Sequence, residues 1–188
     1  MNVQSAAIQD ERKLLRWSAR LDDFTPPVVP AAAAWLVEPG LLTERLRACC
    51  GGRQGLTVVA EREAPLATAE SALLQAPGNT AFVREIELTC DGLPWVFAQS
   101  LIPLATLARH GWLSRLGDNA LGEKLAASPG LTRGPLECAR LTPGTALFHR
   151  ALRQTTDPPA ELWARRSWFA IDGARLLVQE VFLPEALR

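Results

Sequence analysis

Net charge is the first thing this chain lacks. Its 20 Lys and Arg residues balance 20 Asp and Glu residues, so the formal charge at pH 7 is zero across 188 residues. Without a net positive field there is nothing to hold a phosphate backbone, and nucleic acid is excluded as a general partner. Lysine is almost missing too: Lys13 and Lys124 are the only two, so the cations are arginines, whose planar forks suit carboxylates. His110 and His149 are the only histidines, and Cys49, Cys50, Cys90 and Cys138 show no metal-ligand spacing. No zinc site is predicted, and no cofactor of any kind. The vicinal Cys49 and Cys50 do not readily bridge each other, and the four cysteines read as free thiols of a cytoplasmic protein. Long apolar runs are absent: Pro26 to Val37 is too short to span a bilayer and is broken by Pro26, Pro27 and Pro30. The N-terminal stretch places Asp10 and Glu11 ahead of Lys13 and has no continuous apolar segment, which argues against a secretion signal. Dinucleotide-binding, Walker and nucleophile-elbow patterns are missing as well.

What is present is a core. A hydrophobic fraction of 48% with 21% charged residues describes a packed chain rather than a disordered one. The length suits one domain that buries roughly 70% of its unfolded surface. Residues 1–25 are weakly patterned and read as a partly helical lead-in, leaving 26–188 as the single domain. Ala31–Val37 and Leu41–Arg47 read as two short helices around Pro39-Gly40, and Leu104–Leu116 and Asn119–Ala127 as a second pair around Gly117. Leu56–Arg62 and Leu131–Arg140 are strand candidates, and 63–80 and 141–161 read as loops with at most a helical turn. Two hairpins stand out, turning at Asp91-Gly92 and Asp172-Gly173. With no strand-helix-strand crossover, the predicted fold is α+β: a six-stranded antiparallel sheet with helices on one side.

Strand alternation exposes two misplaced charges. A two-residue turn in the first hairpin pairs Leu88 with Trp95, Ile86 with Phe97 and Arg84 with Gln99, putting Arg84 on the apolar face. In the last strand, Leu176, Val178, Glu180 and Phe182 share a face, and Glu180 is its one charge. A two-residue turn at Asp172-Gly173 sets Arg165 opposite Glu180, while a one-residue bulge sets Arg166 there. Such charges make either a buried ion pair within the core or the polar lining of a pocket for an anionic ligand, and periodicity does not choose. The six tryptophans have no basic stripe beside them and read as packing, and Cys90 as an ordinary loop cysteine.

The runs VREIELTCDGLPWVFAQSLIP (83–103), LGEKLAASPGLTR (121–133) and LWARRSWFAIDGARLLVQEVFLP (162–184) resemble the chorismate lyase family of ubiquinone biosynthesis. WLVEPGLLTERLR (35–47) matches that family's N-terminal helical flap in position. The resemblance implies a buried ligand site under two helix-turn-helix flaps. It implies release of pyruvate from chorismate to leave 4-hydroxybenzoate, with no metal or organic cofactor. It implies that Arg84 binds the aromatic carboxylate, that Glu180 meets the hydroxyl end, and that backbone groups of Leu42 and Leu121 complete the site. Leu42 stands where the family has methionine, a change that leaves a backbone contact intact. A soluble monomer with chorismate and 4-hydroxybenzoate as its small-molecule partners is expected. Two alternatives stand beside this reading: a ligand-sensing effector domain of similar fold, and another lyase or isomerase acting on chorismate. The regulators that carry such effector domains have a basic winged-helix domain upstream, and the 34 residues before Trp35 are too few for one.

Overall fold

The computed structural model describes residues 15–153, 155 and 157–188. Seven antiparallel strands form one sheet: β1 (Gln54–Pro65), β2 (Thr80–Cys90), β3 (Leu93–Pro103), β4 (Thr132–Arg133), β5 (Glu137–Leu141), β6 (Leu162–Ile171) and β7 (Ala174–Phe182). The order across the sheet is β1-β2-β3-β7-β6-β4, with β5 also pairing β6. Among the described residues six α-helices accompany it: α1 (Pro30–Leu36), α2 (Leu42–Cys49), α3 (Thr68–Leu74), α4 (Leu104–Arg109), α5 (Leu121–Ala126) and α6 (Ala146–Ala151). No helix among the described residues is long and apolar enough to cross a membrane.

The α+β class and the antiparallel sheet are as expected, but the strand count is seven rather than six. The single strand anticipated over Leu131–Arg140 is interrupted at Gly134-Pro135 and becomes β4 and β5. Pro135 has no N–H to offer a ladder. A side chain at Gly134 would collide with the Trp168 indole, so the backbone there passes close to β6.

Helices also cover both faces of the sheet rather than one. Helices α1, α2 and α5 lie over the face carrying Ile86, Leu88, Ala98 and Glu180. On the opposite face α3 packs with Val83, Leu101 and Leu177, and α6 with Phe97, Ala164 and Val181. Central strands with apolar residues on both faces leave a large exposed patch unless both are covered. Helices α3 and α6 fall in the two stretches expected to be loops.

The expected helix Leu104–Leu116 stops at Arg109, where His110 takes a non-helical φ of −126° and a 3-10 turn follows over Gly111–Ser114. The His110 ring is instead held to the Ile171 carbonyl at 3.2 Å. Residues 15–25 of the lead-in are not helical apart from a 3-10 turn at Leu21–Asp23, and Ser18 bridges Cys138 of β5 through paired backbone bonds of 2.9 and 2.7 Å. The earlier part of that lead-in, residues 1–14, lies outside the described residues.

Both Asp-Gly hairpins form as expected. Asp91 and Gly92 have φ of 49° and 80°, Asp172 and Gly173 have 48° and 79°, and each pair makes the two-residue turn that matches strand twist. The first hairpin nevertheless departs from the expected register. A bulge after Leu88 pairs Thr89 with Pro94 and Leu88 with Val96, leaving Trp95 unpaired. One extra residue turns every later β3 side chain to the other face. The partners of Arg84, Ile86 and Leu88 are therefore Ser100, Ala98 and Val96, while Phe97 and Gln99 belong to the opposite face. The second hairpin has no bulge, and Arg165 lies directly across from Glu180.

The cysteines are not all free thiols. Cys50, at the end of α2, is disulfide-bonded to Cys90 at the β2 turn, leaving exposed Cys49 and buried Cys138 as thiols. The spacing in sequence is uninformative because β1 and the register of its hairpin partner bring the two together.

Candidate active site

A cavity of about 290 Å³ lies between the sheet and the helices over it. That is at the small end of ligand pockets, roughly 300 Å³ and upward. Its floor is built by strand alternation: Ile86 and Leu88 from β2, Ala98 and Ser100 from β3, Val178 and Glu180 from β7, and Arg165 and Ser167 from β6. Its roof has two parts. One is the Pro39–Leu41 turn with the first residues of α2; the other is the start of α5, Ala120 to Gly122. The two parts touch, with Arg47 of α2 paired to Glu123 of α5 at 3.6 Å and Leu41 packed beside Gly122. Leu42 and Leu121 are both buried and both line the cavity. Each is the first residue of a short helix whose N-cap lacks a side-chain hydrogen bond, so backbone N–H groups at both starts have no side-chain cap.

Glu180 reaches the cavity from the floor and is held from the side. Arg165 Nε donates to Glu180 Oε2 at 2.6 Å, and Arg165 Nη1 donates to the carbonyls of Trp35 and Glu38 at 3.1 and 2.6 Å. Arg165 Nη2 makes no hydrogen bond among the described residues, although the side chain is only 1% exposed and borders the cavity. The nearby Glu38 carboxyl has its own cation, Arg45 at 2.8 Å, and is held below the usual carboxylate range by the Gly40 N–H and by Arg45.

Arg84 is equally buried, but it is not among the residues lining the cavity. It lies just beyond the floor, paired across strands with Ser100. Its Nε meets Glu61 at 3.1 Å, and its Nη2 is held by the carbonyls of Gly117 and Asn119, which lead into α5. Of the four residues singled out from the sequence, three therefore meet around one cavity, and the fourth touches the segment that roofs it.

Alternation missed Arg133. It is the last residue of the two-residue β4, where there is too little strand to show a period. It sits at the cavity edge, its Nε on Ser167 Oγ at 3.3 Å and its Nη1 on the Pro39 carbonyl at 2.8 Å, stacked over Phe169. Partial desolvation and the neighbouring Arg165 charge push this guanidinium below its usual value, with Glu180 acting in the opposite sense. Among the described residues no cluster of three or more His, Cys, Asp or Glu side chains is placed to hold a metal ion.

The model of one protein family, chorismate lyase, matches residues 15–187. The chain belongs to the chorismate lyase family. A probable chorismate pyruvate-lyase of Aromatoleum aromaticum is 42% identical over 167 residues, covering 86% of this chain and 89% of that protein. A second, from Azoarcus sp., is 40% identical and covers 81% and 84%. A third, from Nitrosospira multiformis, is 36% identical and covers 90% and 97%. Among solved structures the chain is similar to the effector domain of PhnF from Mycobacterium smegmatis, with a TM-score of 0.55 at 15% identity over 79% of this chain and 91% of that one. It is also similar to the C-terminal domain of the histidine utilization repressor of Pseudomonas syringae pv. tomato, with a TM-score of 0.56 at 14% identity over 72% and 95%. These two likenesses show a shared fold, whereas the lyase relatives share the sequence across nearly the whole chain.

Proposed function

We propose that this member of the chorismate lyase family eliminates pyruvate from chorismate to give 4-hydroxybenzoate, supplying the aromatic ring for ubiquinone biosynthesis. The observation that carries the reading is the roofed cavity, apolar over most of its wall, with Glu180 and Arg165 at its floor. In the reaction the C3–O bond of the enol ether breaks and its oxygen becomes the ketone of pyruvate. The C4 hydrogen passes as a proton to the enolpyruvyl methylene, which becomes the methyl group, and the ring becomes aromatic. Atoms and electrons balance within the substrate, so this course calls on no metal or organic cofactor. The protein's task is to hold the conformer in which the methylene lies over the C4 hydrogen and to keep water out.

In this reading Arg84 binds the ring carboxylate and Glu180 accepts a hydrogen bond from the C4 hydroxyl. The backbone starts of α2 and α5, at Leu42 and Leu121, close over the ring. Arg84 and Glu180 stand on strands two apart, roughly 10 Å at about 4.8 Å per strand, a separation that long side chains narrow to the length of a para-substituted ring. For Arg84 to reach a carboxylate, its hold on the Gly117 and Asn119 carbonyls has to loosen, which couples binding to movement of the α5 roof. Helices α1 and α2 with their turn, and the segment from α4 to α5, act as the two flaps, and their opening governs product release. In this reading the protein acts as a monomer in the cytoplasm.

The test is incubation of the purified protein with chorismate in the presence of EDTA. Equimolar 4-hydroxybenzoate and pyruvate are expected. Another aromatic product, or binding of chorismate without turnover, overturns the reading; the latter outcome fits the effector-domain alternative. Arg84→Ala is expected to weaken 4-hydroxybenzoate binding by about 2–5 kcal/mol in calorimetric titration, with Arg84→Lys recovering only part because a point charge lacks the planar fork.

A further inference from the structure

We propose that Arg165 and Arg133 together form a second carboxylate subsite, one that binds the enolpyruvyl carboxylate of the substrate and is left empty by the aromatic product. This subsite presupposes the chorismate reading above and adds to it. Chorismate carries two carboxylates, whereas 4-hydroxybenzoate keeps only the one on the ring. The enol ether leaves the ring at C3, next to the C4 hydroxyl, so its carboxylate falls at the Glu180 end of the cavity and away from Arg84.

Two cations wait there. Arg165 is almost wholly buried, and three of its five N–H groups are accounted for: Nε by Glu180, and Nη1 by two backbone carbonyls. Its two Nη2 N–H groups have no partner among the described residues and, unlike the rest of the side chain, are open to the cavity, where a ligand acceptor can take them. Arg133 is placed to complete a fork. Its Nε rests on Ser167, two residues along the same face of β6 from Arg165, and its guanidinium stands at the edge of the same cavity. The charges leave room for one anion: Arg165 and Arg133 face a single carboxylate, Glu180, because Glu38 is already matched by Arg45. A carboxylate bound between two guanidinium groups makes short, charge-assisted hydrogen bonds with a defined orientation. That orientation fixes the torsion about the ether bond and so holds the methylene over the C4 hydrogen. After the bond breaks, the carboxylate belongs to pyruvate and sits beside Arg133, whose outer surface is open to solvent.

Arg133 is exposed enough to be replaced without harm to the fold, and the two ligands separate its roles. For the purified full chain with Arg133→Gln, KM for chorismate is expected to rise at least tenfold while the Kd for 4-hydroxybenzoate stays within twofold. Arg133→Lys is expected to recover part of the loss in KM. If KM is unchanged in Arg133→Gln while the parent protein turns chorismate over, the subsite is wrong and the functional reading stands. If affinity for 4-hydroxybenzoate falls in parallel, Arg133 acts as a latch on the Pro39 carbonyl and the subsite is likewise wrong. A parent protein inactive toward chorismate removes both.

Discussion

Arg165 and Glu180 occupy directly opposed positions on β6 and β7 and meet at 2.6 Å, yet their surroundings differ: Arg165 is 1% exposed, while Glu180 keeps 18% of its side chain open at the cavity. The pair is at once an element of the core and a wall of the site. The two readings that strand alternation left open, buried ion pair and ligand pocket, describe the same residues.

Replacing Glu180 with glutamine keeps an acceptor for Arg165 Nε but removes the charge. Arg165 also retains its two backbone acceptors, so the loss is expected to resemble that of one charge-assisted hydrogen bond, about 1–3 kcal/mol in unfolding free energy. Turnover is expected to fall further, with kcat/KM for chorismate lower by at least about tenfold, or ~1.4 kcal/mol. Denaturant melts and steady-state kinetics on one preparation read both. Full activity in a destabilised Glu180→Gln protein would assign the residue to architecture alone.

On the far face of the sheet, Glu85 has a buried side chain that accepts from both Arg62 nitrogens at 3.1 Å, from Gln99 at 2.8 Å and from Arg150 at 2.8 Å. Burial pushes this carboxyl up, but the Arg62 and Gln99 hydrogen bonds and the Arg150 charge outweigh it and hold the group below its ordinary 4.5. The folded protein therefore binds this proton less readily than the unfolded chain. The stabilisation is fully present above pH 4.5 and is lost as pH falls through the folded value. The melting temperature is expected to drop on acidification from about pH 6 to about pH 3, and Glu85→Gln to flatten that drop while lowering stability at neutral pH. An equally steep acid limb in Glu85→Gln would place the acid sensitivity elsewhere.

Thiol chemistry separates the cysteines. Burial pushes the Cys138 thiol up to about 11, with Arg165 pulling the other way and Glu137 reinforcing the rise, whereas Cys49 is exposed. Iodoacetamide on the native, unreduced protein is expected to label Cys49 and spare Cys138, with Cys50 and Cys90 becoming reactive only after reduction. Because the bridge joins residues 40 apart in sequence, reduction is expected to lower unfolding free energy by about 2–4 kcal/mol. Rapid labelling of three cysteines without reductant would show that the bridge does not form in solution.

Much of the sheet was legible because its signals are local. Asp-Gly between apolar runs demands φ values that few other dipeptides accept, so both hairpins and the central strands β2, β3, β6 and β7 could be read directly. Alternation over β7 was long enough to expose Glu180 as the one charge on an apolar face. The bulge at Trp95 was hidden, since an extra residue after a well-formed turn leaves the composition of β3 unchanged while exchanging its faces. Helices α3 and α6, at seven and six residues, show too little period to stand out from the loops around them.

By itself, then, the sequence determined the fold class, the two turns, the family through its long matching runs, and the oddity of Arg84 and Glu180. Each of these depends on residues near one another in the chain or on a pattern a few residues long. The tertiary structure alone decided which arginine faces Glu180, that Cys50 meets Cys90, that Arg84 is held to the carbonyls ahead of α5, and that Arg133 joins Arg165 at one cavity. Those are contacts across a hairpin or between segments 30 to 40 residues apart, set by strand register and by which helix covers which face. A shift of one residue in register exchanges every such contact while leaving the local pattern intact.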